Sequence, residues 1–229
     1  MNIVKIKTDI MLHVESNILL YLLLIFVFIT GIAAGGFTVN SISSERQAYL
    51  AEYLYKHSYL LKNQAHIDKG LTYLNSVLRN VQTAFFIWLF GLHYVGIPFM
   101  LITIGIRGFL LGFVVAFFID YYGFNGFLFV LCCILPQCFV HVPCIVIMGI
   151  ISLRFSLQNF RERKHYVGRQ VKFQRAAAYT SKFFLIIIAF LLAGLFDTFV
   201  VPFIFESLFV DIFLNKVVNH PILNRSFLL

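Results

Sequence analysis

Residues 17–39 read NILLYLLLIFVFITGIAAGGFTV, an apolar run with no Asp, Glu, Lys or Arg in it. A hydrocarbon core about 30 Å thick is crossed by about 20 helical residues, so a run this long and free of charge reads as a membrane helix. The rest of the chain has the same character, with 60% hydrophobic residues, 12% charged and 28 Phe in 229. A water-soluble core of this length needs far less apolar sequence. No small-residue cleavage signal of the A-x-A kind closes the run, so it is expected to stay in place as the first helix.

On the same ruler, further apolar blocks fall at 82–106, 107–121, 126–153 and 183–206. The expected architecture is therefore all-α, a polytopic transmembrane bundle of about five spans forming a single membrane domain. Only IRGF (Ile106–Phe109) separates the second block from the third, which is short and would tilt, share a tight hairpin or stop before crossing. Between Arg154 and Lys182 eight Lys and Arg face the single acid Glu162, which marks this loop as cytoplasmic. Five crossings then put the N-terminus, with Lys5 and Lys7, inside, and leave the 40–81 loop and the 207–229 tail outside. A pI near 9.4 is accounted for by topology and by a surface facing lipid headgroups, with no need of nucleic acid.

The outer loop carries helical patterning. Ser44 to Gln47 has the S-x-x-Q form of a capping box, and Leu50, Leu54 and Leu61 follow at helical spacing with Tyr53 and His57 between them. A second stripe, Ile67, Leu71, Leu74 and Leu78, is interrupted by Gly70. Two amphipathic helices are expected, lying either on the bilayer and bundle or against an extracytoplasmic partner. The candidate partner surface is Tyr49, Tyr53, Leu54, Tyr59, Leu71 and Leu74.

Three places break the apolar rule. Arg107 stands at the joint of blocks two and three, Asp197 lies in GLFDTFVVP (Gly194–Pro202), and LPQCFVHVP (Leu135–Pro143) brings two prolines, Gln137 and His141 into block four. A charge at mid-bilayer costs about 2.5–3.5 kcal/mol on insertion scales, so Asp197 should face protein or water, or be protonated. Arg107 is either its partner or a snorkelling residue at the cytoplasmic interface. Pro136 and Pro143 remove amide donors and should kink or split block four around Gln137–Val142. Gln137 and His141 then either satisfy the freed carbonyls or help line a substrate or ion site in a discontinuous helix.

Small residues recur at four-residue spacing, at Gly31 and Gly35, Gly108 and Gly112, and Ala189 and Ala193, which permits close helix approach and leaves a homo-oligomer open. Cys132, Cys133, Cys138 and Cys144 lack paired metal-ligand spacing and read as packing residues. The chain has no H-E-x-x-H, no G-x-S-x-G and no G-x-x-x-x-G-K-[ST]. The expectation is a protein without catalytic residues, metal or cofactor.

Four motifs in order, ITGIAAGGF (Ile29–Phe37), RGFLLGF (Arg107–Phe113), LPQ with a second proline seven residues on (Leu135–Pro143) and AGLFDTFVVP (Ala193–Pro202), resemble the stage II sporulation protein M family. The resemblance spans roughly residues 17–205. It implies a five-span protein of endospore-forming bacteria, in the mother cell membrane facing the forespore during engulfment. It also implies a non-enzymatic anchor for stage II sporulation proteins P and D, which degrade peptidoglycan. Asp197 stands where the family commonly has Glu, and relatives outside the sporulation branch often carry a P-H-G start and an acid near the position of His141.

Overall fold

The computed structural model describes residues 18–63, 69–162 and 169–204, the side chains of 54–63, 69–72, 76, 169 and 190–204 excepted. Every regular element among the described residues is helical. They are α1 (Ile18–Asn40), α2 (Ser44–Asn63), α3 (Lys69–Gly91), a 3₁₀ turn (Tyr94–Gly96), α4 (Ile97–Tyr122), α5 (Phe124–Phe129), a π turn (Val130–Ile134), α6 (Leu135–Arg161) and α7 (Arg169–Ile204). Three stretches, Ile18–Asn40, Tyr94–Tyr122 and Phe124–Arg161, are long and apolar enough to cross a membrane.

The bundle is organised by the seam between α1 and α4. Gly31 and Gly35 lie against the backbone of Gly105, Phe109 and Phe113, while Gly108 and Gly112 lie against that of Phe28 and Ile32. The two small-residue pairs therefore interlock, and the rising numbers on both sides make α1 and α4 parallel. A Cβ on Gly35 would overlap the Phe109 carbonyl and stand 2.7 Å from the Phe113 nitrogen. Lipid tails supply no hydrophobic drive for helix association, so such backbone-to-backbone packing is what holds spans together.

Contacts elsewhere set alternating directions. Phe90 meets Phe99 across the turn after α3, Gly149 of α6 meets Leu24 and Ile104, and Phe155 of α6 stacks on Tyr179 of α7 with ring centres 4.3 Å apart. Thus α1, α4 and α7 run one way and α3 and α6 the other. All five contribute to one core, with Leu24, Ile87, Ile104, Met148 and Tyr179 among its buried members. A second cluster at the far end joins Val39, Ala48 and Ala51 to Phe117, Tyr121, Tyr122 and Phe129. Gly123, at φ +62°, turns the chain between α4 and α5, a conformation in which an L side chain is strained.

Several expected boundaries are corrected. The break assigned to IRGF at 106–109 falls instead at Leu92–Gly96, and α4 runs unbroken from Ile97 to Tyr122. Gly91, Gly96 and Pro98 write that break: a Cβ on Gly96 would overlap the Phe90 carbonyl, and Pro98 sits in the first turn of α4, where a missing N–H costs nothing. Helix α3 runs without a break from Lys69, in the expected outer loop, past residue 81 to Gly91. The basic 154–182 segment is largely helix, α6 reaching Arg161 and α7 starting at Arg169.

Block four is not split at Gln137–Val142. Helix α6 is continuous from Leu135 to Arg161 with Pro143 inside it, and the irregularity lies one turn earlier. In the π turn the Leu135 N–H reaches back five residues to the Val130 carbonyl, which opens the turn that the Pro136 ring would otherwise strike.

Candidate functional site

Helices α2 and α3 bury the opposite of what soluble-protein patterning predicts. On α2, Ala48 and Ala51 face the bundle, whereas Leu50 is exposed with Tyr49 and Tyr53. On α3, Val77, Asn80, Ala84 and Ile87 face inward, and Leu74 and Leu78 face out. Small or compact side chains let helices approach, and the large apolar ones are left for lipid or for a partner. Gln47 does not close a capping box: its amide donates to Asp120 Oδ2 at 2.8 Å and to the Val39 carbonyl at 3.4 Å, tying α2 to α1 and α4. The result is a pinned helix presenting Tyr49, Leu50 and Tyr53. Leu54, Tyr59 and Leu71 of the expected surface belong to α2 and α3, with side chains outside the described ones.

Arg107 lies ten residues, about 15 Å, into α4. It is therefore neither at a hairpin joint nor at a helix end. Its Nη2 donates to the Arg79 carbonyl at 2.7 Å and to Thr83 Oγ1, while Thr83 Oγ1 donates to that same carbonyl at 3.0 Å. Half-buried Arg107 thus clamps α4 to α3 through an α3 backbone acceptor and a hydroxyl, the compensation that an intrahelical cation requires.

Helix register bears on the alternative in which Arg107 pairs with Asp197. Trp88 Nε1 donates to Thr180 Oγ1 at 3.3 Å, which sets α3 against α7. Thr83 lies about 7 Å along α3 from that level, whereas Asp197 lies about 26 Å along α7 from it in the same direction. The backbones of Thr83 and Arg79, which Arg107 contacts, are thus offset from that of Asp197 by about 18 and 12 Å along the helices. From the Phe155–Tyr179 stack, eighteen residues back along α6 is Gln137 and eighteen forward along α7 is Asp197. Helix α7 also packs against the π turn that precedes Pro136. The backbone of Asp197 is thus level with Gln137, about one turn from His141 along α6; Gln137 and His141 are half-buried. Pro202 falls near the end of α7.

A polar knot that sequence reading missed joins α3, α6 and α7. The Tyr179 hydroxyl donates to the Trp88 carbonyl at 2.9 Å, Ser152 Oγ donates to the Ile87 carbonyl at 3.1 Å, and the two hydroxyl oxygens are 3.0 Å apart. Two protons serve three contacts, so one is shared. The Trp88 carbonyl is available because α3 ends: the Leu92 N–H turns to Leu89 instead. Gly91 leaves room for the knot, since a Cβ there would stand 2.7 Å from the Ser152 side chain. Ser152 and Ser156, both fully buried one turn apart on α6, were the available signal.

Beyond the membrane-crossing stretch, Glu162 accepts from Gln158 Nε2 at 3.1 Å and pairs with Arg175, closing the α6–α7 connection. The Gln158 hydrogen bond, followed by Arg175 and Lys172, holds the Glu162 carboxyl below its ordinary pKa. All four cysteines are free thiols, and among the described residues no three His, Cys, Asp or Glu side chains gather in one place.

A bundle that is all-helical among the described residues, with apolar helices of spanning length, glycine seams and intrahelical polar clamps, defines an integral membrane protein of the helical class. The family model described as Stage II sporulation protein M matches residues 24–202, most of the chain, and the protein belongs to that family. No curated protein and no solved structure matches it.

Proposed function

We propose that this sporulation-family membrane protein is a non-enzymatic anchor of the engulfment machinery. In this reading α1, α3, α4, α5–α6 and α7 are five spans, with the N-terminus and the basic connection in the cytoplasm and α2 outside. It would recruit peptidoglycan-degrading enzymes, the stage II sporulation proteins P and D, for septal thinning and membrane migration. One observation carries the reading: α2 is held by Ala48, Ala51 and Gln47 and leaves Tyr49, Leu50 and Tyr53 exposed. Tyr is favoured at binding surfaces because it offers large contact area at little entropic cost. The test is a photocrosslinker at position 49 or 53 in engulfing cells. Capture of a peptidoglycan hydrolase is expected, and its loss from a crosslinker at buried position 51; absence of any hydrolase from the outward positions would overturn the proposal.

A second reading, a small-molecule or ion transporter, draws on the π turn beside Pro136 and on Asp197 at the level of Gln137. Irregular backbone at membrane depth is tolerated where it is buried in protein or lines a cavity. Cysteines introduced at 137 and 141 should then react with water-soluble thiol reagents; full protection would exclude this reading.

A further inference from the structure

Two cations stand deep in the bundle with no acid beside them. Arg107 lies about 15 Å into α4, and Arg79 lies about 18 Å from the Gly91 end of α3, so both fall well inside a core about 30 Å thick. Arg107 Nη2 rests on the Arg79 carbonyl, and the two guanidinium charges are near enough to repel. From Lys69 to Ile119 the chain has no Asp or Glu, and α1 and α6 have none either. Asp120 is about 20 Å further along α4 and accepts from Gln47. Among the described residues neither guanidinium meets a carboxylate. Hydrogen bonds to a carbonyl and a hydroxyl satisfy donors, yet they leave the charge itself unbalanced at a depth where charge is costly.

Both side chains keep donors in reserve. Nη2 makes both contacts of Arg107, to the Arg79 carbonyl and to Thr83, so the N–H groups of Nε and Nη1 have no partner among the described residues, and neither nitrogen is sealed from solvent. Arg79 is exposed, and its Nε donates to the Asn75 carbonyl at 3.3 Å, one turn nearer the end of the bundle where α2 lies, which leaves both of its Nη groups unengaged. This stretch of α3 is polar, with Asn75, Arg79, Asn80, Gln82 and Thr83 ahead of the apolar run from Ala84 to Phe90. The two guanidiniums thus form a cationic ladder that descends from the α2 end toward the middle of the bundle.

We propose that Arg79 and Arg107 bind a phosphate group as their counter-ion, entering from the α2 end. A phosphate or phosphate monoester carries about −1.5 to −2 charge at pH 7, which matches two guanidiniums, and its several acceptor oxygens suit the unengaged N–H groups better than a halide does. The group is either free phosphate or the headgroup of a phosphomonoester lipid, and its chemistry at the two side chains is the same. Such a site uses α3 and α4 as spans, as in the reading above, and nothing of the anchor role, so hydrolase capture and phosphate binding can fail independently.

The test is calorimetric titration of the purified full chain in neutral detergent with inorganic phosphate, chloride holding the ionic strength constant. In parallel, native mass spectrometry measures retention of phosphatidic acid against phosphatidylcholine of identical acyl chains. Arg79→Gln should weaken binding about tenfold, the loss of one charge-assisted contact, and should fold like the parent because Arg107 leans on the main-chain carbonyl of residue 79 and not on its side chain. Lys172→Gln removes the same charge from an exposed position beyond the other end of the bundle and should leave binding unchanged. Phosphatidic acid retained with the same dependence on Arg79 identifies a lipid source; inorganic phosphate binding alone identifies a free anion. Failure of both probes to bind, equal weakening in Arg79→Gln and Lys172→Gln, or phosphate binding that emerges only in Asp197→Asn, where an internal carboxylate has been removed, would each overturn the proposal.

Discussion

Gly112→Ala tests the packing logic of the whole bundle. The added Cβ would overlap the Ile32 carbonyl oxygen and stand 2.7 Å from its carbon and Cα. Ordinary contact begins near 3.4 Å, so α1 and α4 must part by about 0.7 Å or more. A radial gap of about 0.5–1 Å forfeits roughly a quarter to a half of each dispersion contact along the seam. Overpacking of this kind costs about 1–3 kcal/mol, against which alanine regains about 1 kcal/mol of helix propensity over glycine. A net loss of up to about 2 kcal/mol is expected. Gly105→Ala is the internal control: its Cβ would meet only Val27 Cγ1 at 3.6 Å, so the propensity gain should stand alone and the variant should be as stable as the parent or more so. Equilibrium unfolding of the purified chain in mixed micelles, with denaturing detergent as the variable, measures both. Combining Gly35→Ala with Gly112→Ala should cost less than the sum of the two, because helices already parted accommodate the second methyl. Equal stability of Gly112→Ala and Gly105→Ala would refute the reasoning.

Three further outcomes follow from the polar contacts. Tyr179→Phe keeps the ring stack on Phe155 but strips the Trp88 carbonyl of its donor, and should cost about 1 kcal/mol in the same unfolding assay, with Ser152→Ala non-additive to it; a variant matching the parent would dismiss the knot as incidental. Arg107→Gln and Asp197→Asn should destabilise additively, since helix register separates them, and rescue in the double variant would show instead that they pair. The Glu162 carboxyl, depressed in the folded state, contributes stability that is present above its ordinary pKa of 4.5 and is lost as pH falls below that through the folded value. Amide protection factors in residues 155–162 and 169–175, corrected for the intrinsic pH dependence of exchange, should therefore fall in acid for the parent but not for Glu162→Gln, and an identical pH profile in both would rule the contact out.

Composition and block length were enough to establish a helical membrane protein, because lipid demands long apolar helices and punishes charge. The motif order was enough for the family, and the four-residue spacing of Gly31, Gly35, Gly108 and Gly112 was present to be read. That these two pairs meet each other was not, since spacing along a helix says nothing about which helix is opposite. Helix boundaries were misjudged where Arg107 and Gly108 resembled a joint. Arg107 stays inside α4 only because Thr83 and the Arg79 carbonyl wait on α3, and Gly108 only because the Phe28 carbonyl passes beside it. Leu50, Leu74 and Leu78 were read as apolar stripes lying on bilayer, bundle or partner; they turn outward, and the packed faces go to Ala48, Ala51 and Ala84, because small side chains allow close helix approach. Asp197, Gln137 and Pro136 stand 60 or so positions apart in the chain, and their shared height is decided only by the antiparallel register of α6 and α7 set at the Phe155–Tyr179 stack. Local sequence chooses helix and solvent; which polar groups become neighbours depends on long-range packing, which no single segment encodes.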